Sequence, residues 1–321
     1  MKKDLYPIKF NPIFKEKIWG GRNLETLLGK PLPQGRKIGE SWEICDREGD
    51  QTTVQNGIYQ GLSLHELMTQ LKQSLLGNRF DAIPKRFPLL FKIIDAHDDL
   101  SLQVHPDDHY AAIHEKVDPG KTEMWYVLHT QDSSRIYCGL KKKTDLQIFK
   151  DALQSSQSVT DYLQIYSPHA GDVFFIPAGT VHALGKGNVV IEVQENSDIT
   201  YRLSDWGRIG DDGKPRPLHI EKGIEVAQID SKAGAPLFQK KGAKNQSLLE
   251  CSYFRVSETI YGPPSIENID PQACQVWTIL EGKGTLESKP YDKGDFILIP
   301  AHIGKVSVQP ASLTRILKTE L

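Results

Sequence analysis

No run of apolar residues in this 321-residue chain approaches the roughly 18 needed to cross a membrane as a helix, so a helical membrane protein is excluded. The opening "MKKDLYPIKFNP" has two lysines but no apolar stretch of the kind a secretory signal carries, and a cytoplasmic location is expected. Cysteine is scarce. Cys45, Cys138, Cys251 and Cys274 are scattered without C-x-x-C spacing, so neither a disulfide framework nor a cysteine zinc site is indicated, and reduced, mostly buried thiols are the expectation. Charge of one sign is lacking too: 39 Lys and Arg stand against 41 Asp and Glu. A net charge of -2 gives no bulk attraction to nucleic acid or to a membrane surface, so neither is an expected partner, and an anionic ligand would need a local cluster of cations.

Helix signals are few. Residues 63–76, "SLHELMTQLKQSLL", open with Ser63 and Glu66 as a capping box, and residues 106–115 place Pro106 in a first turn followed by two aspartates. Two more helices are expected over 144–153 and 158–166. The rest reads as short strands broken by Gly, Pro and Asp, among them "EMWYVLHT", "DVFFIP", "NVVIEVQE", "YFRVSETI", "VWTILEG" and "DFILIP". A β-dominated sandwich or barrel protein follows, with a linker expected in the Gly- and Lys-rich stretch 231–247.

The chain also repeats itself. "GDVFFIPAGTVHAL" at 171–184 aligns with "GDFILIPAHIGKVS" at 294–307, and "EMWYVL" at 123–128 with "QVWTIL" at 275–280. Two related β units are therefore expected, divided as 1–236 and 237–321. Between the paired segments the first copy has 46 residues from Trp125 to Gly171 where the second has 17 from Trp277 to Gly294, so the helices near 144–166 decorate the first copy alone. In the alignment Glu123 stands opposite Gln275 and His182 opposite Lys305. Potential ligands occur only in the first copy.

Residues 101–108, "SLQVHPDD", alternate with a period of two, which turns Ser101, Gln103 and His105 to one face of a strand and Leu102 and Val104 to the other. With Glu123 and His182 they offer two imidazoles, one carboxylate and one amide oxygen, a set suited to zinc or another divalent first-row ion. Gly171, Pro177 and His182 form the G-x5-P-x4-H pattern of the second cupin motif.

Beyond cupins in general, the chain resembles the type I mannose-6-phosphate isomerases of the short bacterial kind. The resemblance spans nearly the whole chain, through "PIFKEKIWGGRNL", "GESWEI", "FPLLFKIIDAHDDLSLQVHPDD", "GKTEMWYVL", "GDVFFIPAGTVHAL" and "VQENSDITYRLSDWGR", in that order. It implies two tandem jelly-roll barrels, of which only the first is catalytic. It also implies one zinc ion held by Gln103, His105, Glu123 and His182, and interconversion of mannose 6-phosphate and fructose 6-phosphate through an enediol. One departure from the general cupin pattern is shared with this family: 17 residues separate His105 from Glu123.

Within that resemblance Arg202 matches the family's active-site arginine and Asp198 an aspartate proposed as acid or base. Lys121, two residues before Glu123, is a candidate proton-transfer partner or phosphate contact. Lys92 interrupts the apolar run "PLLFKII", where a cation must be paired or face a cavity, and it is expected to face the site. The Ser101 hydroxyl is placed to donate to a phosphate oxygen, and Trp42 and Glu43 of "GESWEI" are expected to close the pocket wall. The expected partner is a small sugar phosphate, taken by a monomer or weak homo-oligomer. The alternative is a non-catalytic sugar-phosphate-binding or regulatory bicupin that keeps the ion as a staple, and the presence of Asp198, Lys121 and Arg202 near the metal motifs favours the enzyme. Oxygen-dependent bicupin chemistry commonly uses three histidines and an acid, a set this chain lacks.

Overall fold

Period-two alternation in the sequence becomes strand pairing in the computed structural model, which describes residues 4–80, 82–115, 117–155, 158–210, 213–229 and 244–321. The chain divides into two compact units. One comprises Met1–Ile13, Trp42–Leu90 and Gln239–Leu321, the other Phe14–Ser41 and Phe91–Phe238. The 236/237 boundary expected from the sequence lies outside the described residues, as does the linker up to residue 243, while residues 245–247 already belong to the strand Asn245–Glu250.

The larger unit is built on a five-stranded and a six-stranded antiparallel sheet. In the five-stranded sheet the order is Leu163–Tyr166, Ile136–Leu140, His182–Leu184, Leu102–Val104, Tyr201–Ser204. The six-stranded sheet contains Glu123–His129 between Val173–Ile176 and Asn188–Glu195. Side chains from both sheets, including Trp19, Ile94, Trp125, Val127, Cys138, Phe174 and Leu184, form one apolar cluster. A second cluster backs the five-stranded sheet, where Leu102, Val104 and Leu203 meet Phe149, Leu153 and Val226 of two helices.

In the other unit a seven-stranded and a four-stranded antiparallel sheet enclose Trp277, Ile279, Tyr291, Ile297, Val306 and Ile316. Its large sheet includes Ile8–Asn11, which pairs with Phe296–Ile299 through Ile8↔Leu298. The N-terminal strand thus belongs to the sheet made mostly of C-terminal residues.

Strand registers reproduce the sequence repeat residue for residue. Trp125 pairs with Phe174 and Trp277 with Ile297, as the alignment of the two copies requires. At the following turn Gly171 N–H donates to Val127 O at 2.8 Å, and Gly294 N–H donates to Ile279 O at 2.8 Å. Both glycines have φ near +90° (95° and 89°), a region closed to most side chains, which is the physical reason both copies keep glycine there.

Among the helices, Leu64–Leu71 carries the expected capping box, with Ser63 Oγ accepting from Glu66 N–H. The expected single helix breaks at Lys72, where φ is +51°, and a separate turn Gln73–Leu76 buries both Leu75 and Leu76. The second helix, Asp108–His114, starts two residues later than expected: Asp107 is the N-cap, accepting from Tyr110 N–H at 2.8 Å, and Pro106 precedes it. Asp145 caps Leu146–Gln154. The helix expected over 158–166 is instead a single tight turn, Val159–Tyr162, and a strand, Leu163–Tyr166, whose backbone pairs with Ile136–Leu140. A long-range ladder outcompetes weak helical periodicity there. Cys45, Cys138 and Cys274 are buried free thiols and Cys251 is half-buried.

Candidate metal centre and its cavity

Three adjacent strands set the stage. His182 pairs with Gln103, and Gln103 pairs on its other side with Arg202, so the three side chains lie abreast on one face of the five-stranded sheet. The opposite face is held by Leu102 and Val104, both fully buried in the apolar cluster beneath the two helices. That burial fixes which way Gln103 points. His105 follows directly, its carbonyl anchored by Gly179 N–H at 2.8 Å, and Glu123 begins its strand in the facing six-stranded sheet.

His105, Glu123 and His182 converge, with one potential ligand atom from each lying within 4.8 Å of the others. Each histidine faces a backbone carbonyl through Nδ1: His105 reaches Ile199 O at 2.8 Å and His182 reaches Thr180 O at 2.9 Å. A carbonyl can only accept, so the ring proton sits on Nδ1 and the Nε2 lone pair of both rings is turned inward. Trp125 packs edge-on against His182, with ring centroids 5.5 Å apart.

Glu123 Oε1 lies 3.1 Å from His182 Nε2, and Oε2 lies 3.5 Å from His105 Nε2 and 3.1 Å from Lys121 Nζ. Neither carboxylate oxygen nor His105 Nε2 has a partner in hydrogen-bond geometry, although all three atoms are shut off from solvent. Buried acceptors aimed at one another are costly unless a cation lies between them. The donor set therefore fits a divalent ion. Burial and the Lys121 ammonium push the His105 pKa down to about 3. Burial works to raise Glu123, but Lys121 and His105 outweigh it and hold the carboxyl well below the usual range. A neutral imidazole and an ionised carboxylate are the states a metal requires. Gln103 Nε2 lies 3.2 Å from His182 Nε2, and exchanging the amide O and N, which are equivalent in shape, presents Oε1 to the same centre.

Beside this centre is a cavity of about 310 Å³, which Gln103 and Lys121 link to the cluster. Of the residues expected at the site, Lys92, Ser101, Asp198 and Arg202 line it. Lys92 is buried and pairs with Glu192 at 3.0 Å, while the other oxygen of Glu192 accepts from Trp125 Nε1 at 2.8 Å. Burial disfavours the Lys92 ammonium, but Glu192, Glu40 and Asp198 prevail and raise its pKa, so it stays charged.

Trp42 and Glu43 lie elsewhere. Both are buried in the other unit, outside the cavity lining, and Trp42 packs with Ile13, Cys45 and Leu90. The carboxylate that "GESWEI" contributes to the lining is Glu40, which pairs with Lys17 at 3.3 Å. Lys17, Glu40, Glu192 and Arg216 are lining residues that sequence reasoning missed. Glu192 had a legible signal, since it is an acid within the apolar strand "NVVIEVQE".

Comparison with known proteins gives concordant results. Residues 8–149 match the family model described as phosphomannose isomerase type I, catalytic domain. The mannose-6-phosphate isomerase ManA of Bacillus subtilis is 37% identical over 94% of this chain and 96% of its own, and the mannose-6-phosphate isomerase of Streptococcus mutans is 35% identical over 92% of each. Among solved structures, the mannose 6-phosphate isomerase from Bacillus subtilis superposes with a TM-score of 0.87 at 31% identity, covering 98% of this chain and 100% of that one.

Proposed function

The chain belongs to the type I phosphomannose isomerase family, and from that premise we propose that it interconverts mannose 6-phosphate and fructose 6-phosphate at the His105, Glu123 and His182 centre, in the cytoplasm, with one zinc ion per chain. The observation that carries the reading is the buried trio of orphaned acceptors beside a cation-lined cavity. Gln103, His105, Glu123 and His182 are the proposed ligands. When bound, the ion supplies a Lewis acid that polarises the sugar oxygens and favours charge developing on them.

The remaining work falls to the lining residues. Moving a proton between C2 and C1 through an enediol needs a base beside the carbon and an acid or cation beside the oxygen. Lys121 and Asp198 are the proposed proton carriers. Glu123 holds the Lys121 ammonium at 3.1 Å, which keeps that side chain facing the cavity. Arg202, abreast of Gln103 on the next strand, brings a permanent cation for the enediolate oxygens or for phosphate. Ser101, buried on the cavity wall, offers a hydroxyl donor. Lys92, tied to Glu192 and through it to Trp125, stiffens the wall behind His182.

A coupled assay for fructose 6-phosphate formed from mannose 6-phosphate, run before and after chelation, tests this directly. Activity lost on chelation and restored by zinc is expected. A folded, zinc-replete protein with no turnover would reject the isomerase reading in favour of a sugar-phosphate-binding role.

A further inference from the structure

The cations around the cavity are not equivalent. Lys92, Lys17 and Lys121 each have a carboxylate within 3.3 Å, at Glu192, Glu40 and Glu123. The guanidiniums of Arg202 and Arg216 also line the cavity, and their surroundings differ. Arg202 donates through Nη1 to Pro217 O at 2.9 Å, while its buried Nε has no acceptor. Arg216 is fixed from behind by Asp205, which accepts from its Nε at 2.8 Å and from its Nη2. The same carboxylate also holds Arg208 at 2.6 Å, so one buried Asp serves two guanidiniums.

The segment bearing Arg216 is locked to the strand bearing Arg202. His219 N–H donates to Arg202 O at 2.7 Å, and Arg202 N–H donates back to His219 Nδ1 at 3.1 Å. With the Pro217 contact these bonds place the second guanidinium beside the first. The two are close enough that Arg216, after burial, is the main influence lowering the Arg202 pKa. Like charges held together by a dedicated scaffold store repulsion that an anion relieves.

We propose that Arg216, oriented by Asp205, is a phosphate contact of the substrate alongside Arg202, and that the pair selects phosphorylated over free sugars. Asp205 is the positioning residue. This rests on the isomerase reading for the identity of the sugar, but the anion site stands on the arginine geometry alone.

Two measurements on zinc-loaded full-length protein test it: steady-state kinetics with mannose 6-phosphate, and thermal stabilisation by inorganic phosphate. Losing a charge-assisted contact in Arg216→Gln is expected to lower kcat/KM by about 10- to 100-fold, chiefly through KM, and to weaken the phosphate response by a similar factor. Arg216→Lys should recover part of both. Asp205→Asn should shift KM in the same direction by less, with Arg216 still present. A folded Arg216→Gln or Arg216→Lys protein with the parental KM and phosphate response would overturn the proposal. A wild-type protein without isomerase activity whose phosphate response still depends on Arg216 would reject the sugar assignment and support the anion site.

Discussion

The two units hold the same backbone register around opposite interiors. Trp125 pairs with Glu192 in one, and Trp277 pairs at the equivalent place with Lys318 in the other. In the unit that holds His105, Glu123 and His182 the indole N–H is taken by Glu192, whose second oxygen holds Lys92 at the cavity wall. In its counterpart the indole N–H is taken by Gln275 at 2.8 Å, the residue aligned with Glu123. Lys318 then lies 4.5 Å from the Trp277 ring centroid and 5.2 Å from that of Tyr261, with its ammonium on Glu267 at 3.2 Å. His182, fully buried, gives way to an exposed Lys305. One interior turns its charges toward a site, and the other satisfies them internally. Duplication explains the shared register, while a few substitutions at interior positions explain why chemistry is expected in only one copy.

Ligand exchange between the copies gives the largest contrast. Glu123→Gln, which installs the second copy's residue in the first, should lower activity by at least on the order of 10²-fold and reduce zinc content, as metal analysis of the purified variant would show. The reciprocal Gln275→Glu and Lys305→His double variant should still bind one equivalent per chain, because Lys318 and Glu267 remain to neutralise that interior; a second equivalent would break the comparison.

A smaller effect is expected from Lys318→Met. It leaves Glu267 without its ammonium and two rings without their cation, and chemical denaturation should show a loss of about 2 kcal/mol. Isomerase activity per folded molecule should persist, since Lys318 lies outside the unit that holds His105, Glu123 and His182.

The third test uses Glu195, aligned with Leu321, both of them buried. Burial, then the nearby Asp108, raise its pKa from 4.5 to about 8, although Thr122 N–H donates to it at 2.7 Å. The folded state therefore holds a proton that the unfolded chain releases near pH 4.5, so this group's stability contribution is full below that pH and is lost as pH rises toward about 8. Glu195→Gln keeps the acceptor for Thr122 and should flatten the fall in stability across that window. An unchanged profile of thermal midpoint against pH would show that Glu195 is ionised in the native state.

Much of the candidate metal centre was legible because it is written in local periodicity. Alternation around Gln103 and His105 assigns their face, and the mismatch of Glu123 with Gln275 and of His182 with Lys305 marks the copy that carries the donor set. Trp42 and Glu43 show the limit. All seven residues of Ile38–Ile44, the strand that contains "GESWEI", are buried, so burial alone could not tell which acid reaches the cavity. Glu40 does, and Trp42 fills a core. Arg216 was invisible for a different reason: its orientation comes from Asp205 and from a segment folded back on the strand carrying Arg202, neither of which has a local signature.

The sequence by itself determined the strand periods, the turn glycines, the duplication and the candidate donors, because each is carried by a short segment that can be read, or compared with another, without knowing the fold. Only the tertiary structure decided that the N-terminal strand Ile8–Asn11 joins Phe296–Ile299, that residues 158–166 form a turn and an edge strand, and that Lys17, Glu40, Glu192 and Arg216 line one cavity. Those outcomes depend on which distant strands pair and which buried charges find partners. They are set by the sum of non-local contacts, each weak by itself, and no short window of sequence contains that sum.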